Sequence, residues 1–287
     1  MEPTMQADLF GSAPTFKARG DLAIEQGDAL AFLRSIPTGS VDLVATDLPY
    51  PSLEKHRARG TTTRLKQSTS SSNVWFPTMS NADIRVVVEE TARILAPGRH
   101  AYFVADEETT DAMKRYAWDA GLYSWGTLTW IKTRNGKIRF GMGYHYRRCD
   151  ERILFLEKRT TSKPPKFNVP LHEVVDTMGG YPLPWGQGRK LNDLGIPNAV
   201  AHDEPLDERP NVITLDGVTG YPTEKPVELL RMLVAQSTNP GEVVVDPTCG
   251  SGTTLAGALL SGCRAWVNDL GDEAVRLTTE RARAHRP

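Results

Sequence analysis

The stretch "VVVDPTCGSGTT", Val243 to Thr254, decides the fold. Its β-branched run reads as a buried strand, its glycines as a tight turn, and the residues after Gly252 as a helix. A nucleotide-cofactor site usually begins this way, yet here it lies near the end of a 287-residue chain. The strand "RAWVND", closing on Asp269, and a last helix from Asp272 follow it. Earlier strands are "LAIEQ" (22–26), "VDLVATD" (41–47), "HAYFVAD", "SWGTLTWIK" and "ERILFLEK". Helices are expected at "DALAFLRSI", capped by Asp28, at Asn81–Leu95 ended by Pro97 and Gly98, at Thr109–Ala120, and at "KPVELLRMLVAQS". The expected fold is α/β, a Rossmann-like doubly wound and mainly parallel sheet. It is circularly permuted, built from both ends of the chain.

The length allows one large domain or a domain with an insertion. Residues 1–20 read as a flexible segment without a signal-peptide core, and no run approaches a membrane span, so the reading is a cytoplasmic protein. Cys149, Cys249 and Cys263 form no CxxC, which leaves neither a zinc site nor a disulfide framework. The net charge of -1 gives no overall pull toward nucleic acid, but "KHRARGTTTRLK" (55–66) and "KTRNGKIRFGMGYHYRR" (132–148) are locally basic. From 160 to 218 prolines, glycines and acids dominate with no sustained period. The catalytic domain is therefore expected at 21–159 and 219–287, with a loop at about 51–80 and an irregular segment at 160–218.

The glycine turn fits neither phosphate-cofactor pattern. Leu255 stands where a dinucleotide fingerprint needs its third glycine, and Gly252 where a P-loop needs lysine. What remains is a turn of small residues, Gly250, Ser251 and Gly252, at a helix N-terminus that favours a carboxylate as readily as a phosphate. Asp269, one strand on, can accept both hydroxyls of a ribose. A ligand with an amino-acid end and a nucleoside end suits the pair, and S-adenosylmethionine is one.

"VDLVATDLPY" puts Asp47, Leu48, Pro49 and Tyr50 at a C-terminal strand edge, where doubly wound folds bind ligands. These residue types suit an exocyclic amino group of a nucleobase. The Asp47 carboxylate accepts one N–H, the Leu48 carbonyl the other, and the Tyr50 ring stacks on the base. Pro49 biases Leu48 to an extended backbone. Accepting both N–H groups would make a delocalised amine a better nucleophile and stabilise the charge developing on nitrogen. A sulfonium methyl donor is already electrophilic, so no metal is needed. No Pro-Cys pair occurs, which removes the usual nucleophile for methylating a ring carbon.

With "DLPY" at 47–50 and "DPTCGSGTT" at 246–254 both present, the sequence resembles the β group of amino DNA methyltransferases, which modify adenine N6 or cytosine N4. "QGDALAFLRSIPTGSVDLVATDLPY", "LTWIKTRNGKIRFGMGYHYRRCDERILFLEK" and "YPTEKPVELLRMLV" extend the likeness over most of the chain outside 51–80 and 160–218. The resemblance implies that Asp47, Leu48, Pro49 and Tyr50 hold a flipped base. It implies that Asp246, Pro247, Cys249, Gly250, Ser251, Gly252 and Thr253 cradle the methionine end of S-adenosylmethionine, which leaves as S-adenosylhomocysteine. Asp269 would take the ribose, Asp28 would lie near the adenine, and Thr223, Lys225 and Pro226 would flank the carboxylate end. Leu48 departs from the family's usual proline and holds its carbonyl less rigidly. Asp at the first position favours adenine N6; cytosine N4, an RNA amine, and a catalytically idle nucleic-acid-binding protein of the same fold stay open.

A flipped base implies double-stranded DNA as partner. Lys55, Arg57, Arg59, Arg64 and Lys66 in the loop, Arg134, Lys137 and Arg139, and Arg189 and Lys190 in the 160–218 region are the candidate DNA contacts. That region stands where the family carries target recognition. Neither a homodimer nor a cognate restriction endonuclease is decided by the sequence.

Overall fold

The computed structural model describes residues 19–51, 77–134, 137–138, 149–159, 212–216 and 224–285. Its strands are β1 (Leu22–Gln26), β2 (Val41–Asp47), β3 (Leu95–Ala105), β4 (Tyr123–Arg134), β5 (Lys137–Ile138), β6 (Asp150–Glu157), β7 (Val212–Asp216), β8 (Val243–Asp246) and β9 (Arg264–Asp269). The helices are α1 (Ala29–Arg34), α2 (Asn81–Ile94), α3 (Glu107–Asp119), α4 (Val227–Ser237), α5 (Thr253–Leu260) and α6 (Asp272–His285).

One sheet runs β1-β9-β8-β2-β3-β6-β4-β5, with β7 also paired to β4. The β1–β9, β9–β8, β8–β2 and β2–β3 ladders are parallel, whereas β6 is antiparallel to both β3 and β4. The sheet therefore joins both ends of the chain, with β8 between β9 and β2. One apolar cluster brings α1, α2 and α3 onto one face through Leu33, Ile36, Val87, Val88 and Met113. A second, with Leu229, Leu233, Leu255, Ala258 and Ala282, brings α4, α5 and α6 onto the other. Each helix covers the sheet with the apolar stripe that its 3.6-residue period supplies.

The site follows from this order. The connection after β8 passes through α5 to β9 on one side, and the connection after β2 passes through α2 to β3 on the other. The strand order thus reverses between β8 and β2, and a crevice opens at their carboxyl ends.

Two local expectations are corrected. The second helix stops at Ile94, and β3 begins at once with Leu95. Pro97 and Gly98 instead fall where the β2–β3 register shifts, between the pairs Val41–Leu95 and Leu43–His100. Leu95 is the extended C-cap of the helix, whose last residue falls one before the expected limit. Within 160–218, read as without regular elements, Val212–Asp216 is a strand parallel to β4.

Candidate active site

At the end of β8 the chain turns through Gly250, φ 52°, and Gly252, φ 80°, the second serving as N-cap of α5. A side chain at Gly252 would clash: its Cβ would lie 2.7 Å from Thr278 Oγ1 and 2.9 Å from Thr278 Cα. Gly252 is thus glycine because α6 packs against the turn, and the ligand side is left to its neighbours. The turn is pinned from outside as well. Asn268 Nδ2 donates to the carbonyls of Gly27 and Pro247, Cys249 N to the carbonyl of Asn268, and Thr278 Oγ1 to that of Gly250. Asp269 accepts from Gly250 N through Oδ2 and from Gly271 N through Oδ1. Asp28 caps α1 by accepting from Ala31 N at 2.8 Å, as expected.

After β2 the tetrapeptide forms a tight turn. Tyr50 N donates to Leu48 O at 2.9 Å, a closure across one residue that the fixed φ of Pro49 suits. The Leu48 carbonyl has a second lone pair for another donor. Met79 N donates to Pro49 O, so the chain returning at 77–79 braces the turn. Leu48 is 1% exposed and belongs to the core cluster, which explains how an apolar residue replaces the family's usual proline.

Lys225, buried just before α4, brings its Nζ to 2.5 Å from Asp47 Oδ2 and 3.3 Å from Glu151 Oε2. Glu151 also pairs with Lys132. Burial raises the Asp47 carboxyl above its ordinary range against the pull of Lys225. Burial alone would lower the Lys225 ammonium, but the two carboxylates outweigh it and keep it charged. The Tyr50 phenol is pushed up by burial and by Asp47, so it stays neutral.

A second polar chain links the two halves. Thr46 Oγ1 lies 2.7 Å from Asp246 Oδ1 and 2.8 Å from Thr248 Oγ1, which lies 3.1 Å from the Asp47 carbonyl. Thr46 Oγ1 donates to Asp246 Oδ1, which also accepts from Thr248 N at 3.0 Å. Burial pushes that carboxyl up to about 7.

A cavity of about 350 Å³ joins these parts. Of the expected residues, Asp28, Asp47, Leu48, Pro49, Tyr50, Lys225, Asp246, Pro247, Cys249, Gly250, Ser251, Thr253 and Asp269 line it; Gly252 and Pro226 do not. Lys225 sits at the Asp47 end. Thr223, Lys55, Arg57, Arg59, Arg64, Lys66, Arg139, Arg189 and Lys190 lie outside the described residues, as does the Arg134 side chain, and Lys137 is exposed. Sequence reasoning missed Glu151, Thr46 and Thr248. Glu151 sits among the charged residues Asp150 and Arg152 at the start of β6, which gives it no distinguishing signal; for the threonines the signal was hydroxyls where burial was expected.

Comparison with known proteins agrees with this geometry. A curated relative, the type II methyltransferase M.HpaI of Haemophilus parainfluenzae, is 25% identical over 235 residues, covering 79% of this chain and 63% of that protein. The chain thus spans less than two thirds of M.HpaI. The DNA adenine methyltransferase YhdJ of Escherichia coli (strain K12) is 25% identical over 279 residues, covering 94% of this chain and 86% of that one. Two solved structures share the fold: PvuII DNA methyltransferase, described as cytosine-N4-specific (TM-score 0.59, 15% identity, 95% and 89% of the two chains), and M1.HpyAVI in complex with SAM (TM-score 0.54, 15% identity, 91% and 99%). The family model described as DNA methylase, N6_N4_Mtase, matches residues 41–280, and with that match the chain belongs to the N6/N4 DNA methylase family.

Proposed function

We propose that the protein transfers a methyl group from S-adenosyl-L-methionine to the N6 amino group of an adenine flipped out of double-stranded DNA. The observation that carries this reading is that Asp47 and the left-handed glycine turn open onto one cavity. The residues fit the cofactor. The α5 N-terminus beside Ser251 and Thr253 suits its carboxylate, and Asp269 keeps unused lone pairs for ribose hydroxyls. Bound there, S-adenosylmethionine supplies an electrophilic methyl group. Asp47 and the Leu48 carbonyl accept the two N–H groups of the target amine and stabilise the positive charge that grows on its nitrogen. Tyr50, neutral and half-buried, stacks on the base. M1.HpyAVI, solved with SAM, and YhdJ, named as an adenine enzyme, support cofactor and base respectively. PvuII, cytosine-N4-specific with the same fold, supports the neighbouring reading. The basic residues of 55–66, 134–139 and 189–190 would contact phosphates, and 160–218 would read the sequence. A cytoplasmic setting and a cognate endonuclease belong to the same reading.

The test incubates protein, S-adenosylmethionine and unmethylated bacterial DNA, then identifies methylated nucleosides by mass spectrometry. N6-methyladenine is expected. Asp47→Ala should lose at least about 10²-fold in rate while binding cofactor normally. N4-methylcytosine would overturn the adenine assignment, and no methylated base would overturn DNA as substrate.

A further inference from the structure

Asp47 is one end of an alternating row of charges, Asp47–Lys225–Glu151–Lys132. Two acids and two lysines sum to zero, so the row carries no net charge into the site. Its geometry asks why Lys225 needs two carboxylates. One would neutralise it, and each further buried charge costs desolvation that only close pairing repays. A lysine ammonium, however, is a point charge on a flexible four-carbon stem with three rotatable donors. Held by Asp47 alone, it would slide between the two carboxylate oxygens and swing that carboxylate with it. Glu151 comes from β6, the strand beside β3, and gives the ammonium a second fixed anchor. Lys132 from β4 and the rigid pairing of β4 with β6 hold Glu151 in turn. Among the described residues the Asp47 side chain is bonded through Oδ2. Asp47, Glu151 and Lys225 all line the cavity.

We propose that Glu151 is a positioning residue for methyl transfer: it fixes the Lys225 ammonium on Oδ2 of Asp47, so that Oδ1 is presented to the target amine. The inference rests on the reading of Asp47 as acceptor of an N–H of that amine. It assigns to a strand residue on the antiparallel side of the sheet a part in a reaction whose other groups come from the parallel side.

The test measures transfer of tritiated methyl groups from S-adenosylmethionine into unmethylated bacterial DNA across pH, for the unmutated protein, Glu151→Gln, Glu151→Asp and Lys225→Met. Cofactor affinity by calorimetry and melting temperature are followed beside it. The label counts methyl groups on any base, so the result does not depend on adenine against cytosine. Glu151→Gln should lose about tenfold in kcat, with KM for DNA and cofactor affinity little changed, because orientation is lost and binding is not. The charged groups that act on Asp47 are Lys225, Glu151 and Lys132, with Tyr50 beside it; Asp106 acts on Tyr50. Glu151 raises the Asp47 carboxyl and Lys225 lowers it. The acid limb of the rate should therefore move to lower pH in Glu151→Gln and to higher pH in Lys225→Met, opposite shifts that a general folding defect does not produce. Glu151→Asp keeps the charge and shortens the reach, so kcat should fall while the acid limb stays nearer its original place. Unchanged kcat in both Glu151 variants, or a loss confined to KM for DNA, overturns the proposal and leaves the methyltransferase reading intact. An unmutated protein that binds cofactor but transfers no label overturns that reading and the proposal with it.

Discussion

The turn at 247–252 and the tetrapeptide at 47–50 face each other across one cavity but keep their shapes by different physics. The turn is fixed by backbone: two glycines with positive φ, carbonyls capped by Asn268 and Thr278, and helix α6 pressed so close that only hydrogen fits at Gly252. The tetrapeptide is fixed by charge and a short turn: Pro49, the Tyr50–Leu48 hydrogen bond, and a buried lysine on Asp47. A turn built by sterics tolerates no added atom. A site built by ion pairs tolerates small changes of shape and responds to protons. The cofactor half is thus made to bind one shape, and the catalytic half to hold one charge arrangement.

The largest effect is expected from Gly252→Ala. The added methyl meets the Thr278 backbone and sits at a φ of 80°, so destabilisation of about 2–4 kcal/mol should appear in thermal melting, together with weakened cofactor binding. Thr278→Ala added to it should not rescue, because Thr278 Cα is itself 2.9 Å from the new atom. Full rescue would move the glycine argument from backbone to side chain.

Asp246→Asn probes the contrast from the pH side. The folded Asp246 carboxyl is raised to about 7 from an ordinary 3.8, so the native state holds the extra proton and loses stability as pH climbs between those values. Above about 7 that loss is complete. The variant does not titrate there, so its melting temperature relative to the unmutated protein should improve between about pH 4 and about pH 8. A constant difference would show that burial does not raise this carboxyl.

Thr248→Val should have the smallest effect. It keeps the backbone N–H that Asp246 accepts and removes the hydroxyl that reaches Thr46 and the Asp47 carbonyl. A stability loss of about 1 kcal/mol is expected, with a modest fall in kcat and unaltered cofactor affinity. A change in cofactor affinity larger than the change in kcat would mean that the hydroxyl serves the turn and not the tetrapeptide.

Periodicity and turn residues reveal most of this fold in the sequence, because amphipathic helices and buried strands leave local patterns. "VVVDPTCGSGTT" gave strand, turn and helix within a residue or two of β8 and α5, and Asp28 was recognisable as a cap. Orientation was not recognisable: nothing in "ERILFLEK" distinguishes a strand antiparallel to its neighbours from one parallel to them, since both bury the same residues. The end of α2 falls within one residue of its expected limit, because Leu95 is the C-cap. Candidate residues within one motif were recognisable together. Lys225 and Glu151 belong to segments far from Asp47 in the chain, and only the folded sheet brings their charges to it.

Thr46 and Asp246 touch although 200 residues separate them. During synthesis β2 emerges long before β8, and the described pairing of β1 is with β9, which comes later still. A chain made only as far as β6 lacks both strands that join β1 to β2, and β8 and β9 must later enter between them as a pair. Such distant pairings close slowly. Until β8 docks, the edge of β2 that it covers is open, and an open strand edge is a template for pairing with another chain.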